Sequence, residues 1–509
     1  MKEITPDTCL TDPETDLAHS TTLEQEQPCL ESRPTGGSGR FHLHAPHLHA
    51  PHLPNVHVPH LPHPQIPAGW HPNFHPVHLR VHTFDSFRSR NFRMLWGTTV
   101  AAAAAFWSQQ LIIGWLVYSM THSPFITGLV SGLDALPVLL AGPIGGMLVD
   151  SWDRRRVLIT IFTCQSALVI GFASIVLLGL APTWSVFLFA GVMGVGWVFA
   201  DPTRMSLIPS LVPRENILNA FALNSMAFSI TRLAIPAAVG LVIATLGAGF
   251  GFIVEGGLLL AAVAMAMSLR LEEVHRAPLK IRSAMSGLRE GVEYVRTQPA
   301  VMGLIFAAAV PSLLAMPFVY GLMPVVAAER FHVGAVGLGA LLAAVGGGAT
   351  LGTVVLASWA HRRSGNSLLP VCASMVVAGM VWFALNPWFY LALPALMLMS
   401  AGLMAFYAQC NAAIASQVPD HLRGRVSGLY MLNWGVSPLG GIAAGLIAQF
   451  LGAPIAIGIA TGCMVLAFAA IVFRFREAWL PAKQEAEVVP LIAPFGEHES
   501  IPAMGALAD

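Results

Sequence analysis

Three charged residues lie inside long apolar stretches of the sequence, away from the ends of those stretches: Asp134, Arg232 and Glu255. A charge at the centre of a bilayer costs several kcal/mol unless it is paired or hydrated, so such residues often mark ion or proton sites. At about 1.5 Å per helical residue, Asp134 and Arg232 fall near the middle of the membrane. Glu255 lies nearer one end of its stretch, where we expect it to contact water.

Asp134 is the candidate for reversible proton binding. Gln109 and Gln110 reach a similar depth in the first apolar stretch, so we expect a polar cluster around Asp134. In one hypothesis, Asp134 couples the protein to a proton gradient and Arg232 alters its protonation as the helices move. The alternative is a fixed ion pair between Asp134 and Arg232 that only holds two helices together.

Polar and aromatic side chains in several apolar stretches are candidates to line a binding pocket, because such pockets combine apolar walls with a few polar anchors. The candidates are Trp107, Gln109, Gln110, Asn224, Tyr407, Gln409, Asn411, Tyr430, Asn433 and Trp434. This lining suits an amphipathic or aromatic solute better than a sugar, which requires many more hydrogen-bonding groups.

The composition places the chain in a bilayer. Its 509 residues are 55% hydrophobic and only 11% charged, whereas a typical soluble domain is about a quarter charged. The net charge of zero gives no indication of nucleic-acid binding. The six cysteines have neither disulfide nor metal-site spacing. The sequence contains no phosphate-binding loop and no catalytic constellation, so we expect neither an enzyme nor a cofactor.

Twelve apolar stretches are long enough to cross a hydrocarbon core of roughly 30 Å as helices. Their approximate cores are 94–119, 124–149, 157–179, 183–200, 217–245, 249–269, 300–327, 334–359, 367–386, 389–415, 426–450 and 453–473. Arginines and lysines are concentrated in the joints on one side, whereas the joints on the other side contain only Arg330. The positive-inside rule therefore places both termini in the cytoplasm.

A short charged joint follows the second apolar stretch. Its pattern, Gly-x-x-x-x-Asp-x-x-x-Arg-Arg, is formed by Gly145, Asp150, Asp153, Arg154, Arg155 and Arg156. Basic residues at this place would serve as a topology signal in any membrane protein. The full pattern also resembles the loop motif of the major facilitator superfamily of transporters. That resemblance implies that the aspartate and arginines lock two halves of the protein together on the inner side.

The sequence also repeats itself. Gly145, Ser151 and Trp152 correspond to Gly352, Ser358 and Trp359, and Leu246-Gly247-Ala248 corresponds to Leu451-Gly452-Ala453. We therefore expect an all-α membrane protein with twelve transmembrane helices in two six-helix pseudo-repeats, the major facilitator fold. The predicted regions are a disordered tail (1–83), a six-helix bundle (84–269), a cytoplasmic amphipathic linker (270–299), a second bundle (300–474) and a cytoplasmic tail (475–509).

Two further segments resemble the enterobactin-exporter-like branch of that superfamily: Phe92-Arg93-Met94-Leu95-Trp96 and Ile208-Pro209-Ser210-Leu211-Val212-Pro213. One departure is Ile235-Pro236, where related exporters often have Gly-Pro. The resemblance implies a secondary active exporter in the bacterial inner membrane, and the hypothesis for Asp134 adds proton coupling, which would make it an antiporter. Its partners would be a small amphipathic substrate such as a siderophore, drug or metabolite, a proton and the lipid bilayer. A single chain already contains both halves, so we expect it to function as a monomer.

Twelve of the 19 histidines lie in a proline-rich tract at 42–82. Frequent proline favours extended chain over helix. Dense imidazoles can bind transition metals, and the possible ligands include His42, His44, His47, His49 and His52, although no tetrahedral spacing is present. The alternative functions are therefore a metal or metal-chelate transporter, or a membrane-anchored metal sensor. A spacer without any metal role is the remaining interpretation.

Overall fold

The computed structural model describes residues 85–270, 281–359 and 368–475. The first half of this part consists of α1 (Arg90–Thr121), α2 (Pro124–Ser151), α3 (Arg154–Leu177), α4 (Thr183–Leu211), α5 (Ile217–Leu246) and α6 (Ala248–Met267). A connecting helix, α7 (Ile281–Thr297), follows. The second half consists of α8 (Pro299–Leu314), α9 (Met323–Val325), α10 (Ala335–Trp359), α11 (Leu369–Leu385), α12 (Phe389–Gln417), α13 (Asp420–Met431), α14 (Ser437–Leu451) and α15 (Ala453–Arg474).

Every regular element in the described ranges is helical, which confirms the predicted fold class. Ten helical segments in these ranges are long and apolar enough to cross a membrane. Helices suit this environment because they satisfy their backbone hydrogen bonds internally. The 28-residue α2 and the 17-residue α11 coincide with the second and ninth predicted stretches. The exact count of twelve stays a prediction, and the predicted tail at 1–83 lies outside the described residues.

Two turns reproduce the internal repeat in backbone conformation. Gly247 joins α5 to α6 with φ of 91°, and Gly452 joins α14 to α15 with φ of 83°. Glycine adopts positive φ without steric cost, so each helix can end and the next begin around a single residue. The matching Leu-Gly-Ala sequences therefore form the same tight turn in both halves.

Two helical segments of the second half are interrupted. Turns of π-helix at Pro317–Gly321 and Val326–Arg330 flank α9, and a 3-10 turn at Leu432–Val436 separates α13 from α14. Prolines at or beside these turns remove backbone hydrogen bonds that a straight helix requires. Such irregular turns inside helices are frequent at functional sites.

The two halves meet along two helix pairs, α2 with α14 and α5 with α10. Glycines allow these helices to approach closely. A Cβ atom on Gly128 would lie 2.5 Å from the carbonyl oxygen of Gly441, and one on Gly240 would lie 2.6 Å from that of Ala335. Small residues at helix contacts are the usual means of tight packing in a membrane. The seams between the halves therefore have no room for larger side chains at these positions.

Candidate functional site

Asp134 on α2 is held by two glutamines of α1. Gln109 Nε2 donates to one carboxylate oxygen at 2.9 Å, and Gln110 Nε2 donates to the other at 2.7 Å. Gln109 is fully buried, and its Oε1 accepts a 3.4 Å hydrogen bond from the indole nitrogen of Trp197 on α4. The interior of the first half therefore contains a polar cluster built from three helices.

Arg232 on α5 does not pair with Asp134. Its Nη2 donates to the hydroxyl of Tyr320, and its Nη1 lies 3.5 Å from the sulfur of Met404. The guanidinium also lies over the rings of Trp107 and Tyr320, 5.1 and 5.7 Å from their centroids. The fixed ion pair expected as an alternative is thus not formed in this structure, because partners at the contact between the halves surround the guanidinium instead.

Glu255 on α6 lies wholly inside the first half. It is 0% exposed, and neither carboxylate oxygen has a hydrogen-bond partner among the described residues. One turn away, Phe252 packs in an aromatic cluster with Phe172 and Phe189. The expectation that Glu255 contacts water was wrong, because depth along a helix does not say toward which side a side chain points.

The interior of the second half carries neutral polar groups. The hydroxyl oxygens of Ser312 and Tyr407 lie 2.7 Å apart, and the Tyr430 hydroxyl donates to the backbone carbonyl of Tyr407 at 2.9 Å. Trp434 is 39% exposed and packs on the Tyr407 ring, with centroids 5.3 Å apart. We call these four side chains the aromatic wall. Its hydroxyl groups are already hydrogen-bonded to one another or to the backbone.

The other predicted pocket residues occupy different environments. Asn224 is buried, and its amide nitrogen lies 3.5 Å from the sulfur of Met205. Asn433 is buried with an amide nitrogen that lacks a partner among the described residues. Gln409 is half-buried and Asn411 is exposed. That the ten predicted residues line one pocket stays a prediction.

Four residues at these clusters were not among the sequence predictions: Trp197, Tyr320, Met404 and Ser312. Tyr320 carried a detectable signal, because tyrosine is rare in this chain, with six residues, and Tyr320 follows Pro317 in an apolar stretch. Ser312 and Met404 carried no comparable signal. A serine or methionine in an apolar helix is more often a packing residue than a site residue.

The charged joint begins α3 with a capped helix terminus. Asp153 accepts hydrogen bonds from the backbone nitrogens of Arg155 and Arg156, at 3.0 and 3.1 Å. Its other oxygen lies 3.5 Å from Nε of Arg156. An aspartate at this position satisfies backbone donors that the first turn leaves free. Gly145 lies within α2.

Two arginines of the joint contact the ends of other first-half helices. Arg154 Nη1 donates to the carbonyl of Ser206 on α4 at 3.3 Å, and Arg155 Nη2 donates to that of Met267 on α6 at 2.5 Å. Cations are favourable at helix C-termini because of the helix dipole. The side chain of Asp150 lies outside the described part of the chain, so the predicted lock between the halves stays a prediction.

The two halves are joined at the end of the bundle where α1 finishes and α2 begins, which we call the Tyr118 end. The Tyr118 hydroxyl donates to a carboxylate oxygen of Glu329 at 2.7 Å, and the Ser123 hydroxyl donates to the side-chain oxygen of Gln449 at 2.8 Å. Each bond connects a first-half residue with a second-half residue. The halves are therefore in contact at the Tyr118 end.

Within the described ranges, no group of three or more His, Cys, Asp or Glu residues is placed to hold a metal ion. The possible histidine ligands of the tract at 42–82 lie outside these ranges. That part of the prediction is untested by the geometry.

Two curated relatives are exporters. The multidrug efflux pump Tap of Mycolicibacterium fortuitum is 27% identical over 353 residues, which cover 66% of this chain and 84% of Tap. The enterobactin exporter EntS of Shigella boydii serotype 4 (strain Sb227) is 25% identical over 341 residues, which cover 64% of this chain and 79% of EntS.

Solved transporters share the fold. The nucleoside transporter NupG matches with a TM-score of 0.62 at 13% identity, covering 76% of this chain and 99% of NupG. A bacterial homologue of the human lysosomal transporter Spinster, in an inward-facing and unoccupied conformation, matches with a TM-score of 0.59 at 16% identity, covering 77% and 99%. At such identities the likeness concerns the fold alone.

The family model MFS_3, described as transmembrane secretion effector, matches residues 81–499, which is most of the chain. The predicted resemblance to the exporter branch is confirmed by this match and by the relatives. The relatives and structural neighbours are transporters, which confirms that the chain is not an enzyme. This chain is a multi-pass membrane transporter, and it belongs to the transmembrane secretion effector family of the major facilitator superfamily.

Proposed function

We propose that this transporter exports small amphipathic molecules in exchange for protons, by alternating access. The relatives Tap and EntS are an efflux pump and an exporter, which supports the outward direction. Aromatic residues with a few polar groups, such as Tyr407 and Trp434, support an amphipathic substrate. The membrane is the bacterial inner membrane and the single chain is the working unit.

The observation that carries proton coupling is a pair of carboxyl groups inside the first half that have no basic partner in the described part of the chain. Asp134 has only amide donors, and Glu255 has no hydrogen-bond partner among the described residues. An uncompensated carboxylate in an apolar interior costs several kcal/mol, and binding a proton removes that charge. Proton binding and release would then bias one conformation over another.

Alternating access is supported by the contact at the Tyr118 end. The arginine-rich joint at Arg154 faces the cytoplasm under the positive-inside rule, so the Tyr118 end faces outward. Hydrogen bonds from Tyr118 and Ser123 to the second half close this outer side. Export then requires these bonds to break while a closed contact forms on the cytoplasmic side.

The test uses purified protein in liposomes and a panel of fluorescent amphipathic dyes of both charge signs. Dye transport is measured with and without an imposed pH gradient, together with exchange of dye against dye in the absence of a gradient. Asp134→Asn should reduce gradient-driven transport by at least about tenfold, or roughly 1.4 kcal/mol in activation free energy, and should retain exchange.

Asp420→Asn is the matched control. Asp420 is an exposed carboxylate of the second half that pairs with Arg423 at 2.8 Å. Its replacement should leave the pH profile unchanged. The proposal is wrong if no dye is transported, or if Asp134→Asn keeps the gradient-driven rate and its pH profile.

The histidine-rich tract at 42–82 favours a second candidate, export of a metal or metal chelate with capture by the tail, or metal sensing. Deleting residues 1–83 discriminates between the candidates. An amphipathic exporter keeps dye transport after the deletion. Transport that weakens chiefly at low zinc or copper after the deletion would support the metal-chelate candidate. Loss of a metal response when the tail is deleted would support the sensor.

A further inference from the structure

Among the residues that the structure describes, Arg232 has no counter-ion. Within the described part of the chain, the ion pairs join other arginines to carboxylates, and none of them includes Arg232. Asp134 has both oxygens occupied by Gln109 and Gln110. A half-buried guanidinium without an anionic partner is costly, because its lost hydration is not replaced by an opposite charge. The structure thus leaves one positive charge that another molecule can neutralise.

The surroundings of Arg232 offer hydrogen-bond donors and ring faces rather than acceptors. Its Nη2 donates to the Tyr320 hydroxyl, whose own hydrogen remains available to donate. Nε of Arg232 and the indole nitrogen of Trp107 are buried and have no acceptor among the described residues. The remaining polar contact is the Met404 sulfur, 3.5 Å from Nη1. A thioether is a weak hydrogen-bond acceptor, so the Met404 sulfur does not replace the strong acceptor that a carboxylate would supply at this position.

These four side chains lie where the two halves meet. Trp107 and Arg232 belong to α1 and α5 of the first half, whereas Tyr320 and Met404 belong to the π turn at Pro317–Gly321 and to α12 of the second half. All four are partly exposed, so they border open space rather than a sealed core. The backbone at Arg232 is fixed by close packing, since a Cβ on Gly346 would lie 2.5 Å from its carbonyl oxygen. A transporter built from two parallel repeats holds its substrate between them.

We propose that Arg232, Trp107, Tyr320 and Met404 bind an anionic group, such as a carboxylate, on the aromatic or apolar body of the transported molecule. This inference rests on the exporter function proposed above and adds that the substrate carries a negatively charged group. The anion displaces the flexible Met404 side chain and accepts charge-assisted hydrogen bonds from the guanidinium and the Tyr320 hydroxyl. The ring faces of Trp107 and Tyr320 pack against the aromatic body beside it.

The same geometry links binding to the conformational change. A substrate anion at Arg232 would contact residues from both halves at once. Its binding energy therefore depends on how closely the halves approach at this level, and a conformation that separates Arg232 from Tyr320 releases it.

The test is a binding measurement without any proton gradient. Purified protein in nanodiscs of zwitterionic lipid is titrated with pairs of aromatic acids and their methyl esters, for example 1-naphthylacetic acid and dansyl-phenylalanine with their respective esters. Binding is measured from the quenching of tryptophan fluorescence and from the shift in thermal denaturation. At least one acid should bind about tenfold more tightly than its ester, Arg232→Gln should remove this difference, and Arg232→Lys should retain part of it.

Arg330→Gln is the matched control. Arg330 also lies over an aromatic ring, that of Phe331, but its Nη1 donates to the carbonyl of Ala384 and it lies near the Tyr118 end. This variant should keep the preference for acids. If Arg232→Gln does not fold, Tyr320→Phe provides a second test, because it keeps the ring and removes the hydroxyl, and it should lower the acid preference about threefold.

Three results would overturn the inference: no acid preferred over its ester, a preference that persists in Arg232→Gln, or a preference lost equally in Arg330→Gln. A separate titration uses nanodiscs that also contain phosphatidylglycerol. Binding of that lipid through Arg232, with no effect of the aromatic acids, would show that the site serves a lipid headgroup and would also overturn it. Since no gradient is used, failure here combined with Asp134-dependent transport would reject the anion site alone.

Discussion

The two halves of the molecule have similar backbones and different interiors. The first half contains charged groups away from its helix ends: Asp134, Arg232, Glu255 and the Asp201–Arg204 pair within α4. The described interior of the second half carries hydroxyl groups instead, on Ser312, Tyr407 and Tyr430, which are hydrogen-bonded to one another or to backbone. Charged residues of the second half such as Glu329 lie at the Tyr118 end.

This difference indicates that the repeat preserved packing while its chemistry diverged. The turns at Gly247 and Gly452 keep the same positive φ because two helices must meet around one residue in each half. Side chains outside these turns are free of that backbone constraint. In the sequence, Ala357 stands in the second half where the first has Asp150. We infer a division of roles, with proton chemistry in the first half and a neutral aromatic wall in the second.

The largest effect is expected where the two halves touch. Gly128→Leu should abolish transport with or without a pH gradient, because even a Cβ atom there would lie 2.5 Å from the Gly441 carbonyl oxygen. The halves could then no longer close at the Tyr118 end. Dye exchange in liposomes measures this. Gly257→Leu is the control, because Gly257 is exposed and no atom lies within 4 Å of an added Cβ, and this variant should transport normally. Normal dye exchange by Gly128→Leu would contradict the tight packing between the halves.

The next largest effect should fall on the first half alone. Glu255→Gln keeps the shape of the side chain and removes its ability to ionise, so gradient-driven transport should fall about tenfold while dye exchange persists. Tyr407→Phe is the comparison in the second half, and it should leave the pH dependence intact. Equal changes in the pH profiles of Glu255→Gln and Tyr407→Phe would contradict the proposed division of roles between the halves.

A smaller effect is expected at the outer contact. Tyr118→Phe removes the hydrogen bond to Glu329, worth about 1 kcal/mol, and should shift the equilibrium about fivefold toward the state open at the Tyr118 end. The measurement is the rate at which an impermeant maleimide labels Ser131→Cys, in a background without the native cysteines. Ser119→Ala is the control, because Ser119 bonds only to the Leu116 carbonyl of its own helix in the described contacts. An unchanged labelling rate in Tyr118→Phe would show that this bond does not hold the halves together.

The smallest effect is expected inside the second half. Ser312→Ala removes the contact with the Tyr407 hydroxyl and should lower the free energy of unfolding by about 1 kcal/mol. Thermal denaturation measures the stability loss, and dye transport at several pH values should show the wild-type profile. A displaced pH profile would mean that the second half also takes part in proton chemistry.

Much of the fold was accessible from the sequence. Apolar stretches of sufficient length predicted the helices, and the Leu-Gly-Ala repeat predicted matching turns, because both depend on local sequence. The contact of Asp134 with Gln109 and Gln110 was also anticipated, since all three lie at similar depth in neighbouring helices. The orientation of Glu255 was not, because each residue rotates about 100° around the helix axis and a small error in helix placement reverses the side that it faces.

The sequence by itself determined that this chain is embedded in a membrane and that the charged residues Asp134, Arg232 and Glu255 lie within apolar stretches of its first half. Its motifs and internal repeat indicated a transporter that resembles the major facilitator superfamily. These properties follow from composition, length and short motifs, which do not depend on how helices pack. Only the tertiary structure decided which groups those charges meet. Arg232 contacts Tyr320 and Met404, which are distant in sequence and belong to the other half, and such contacts arise only when the two halves pack against each other.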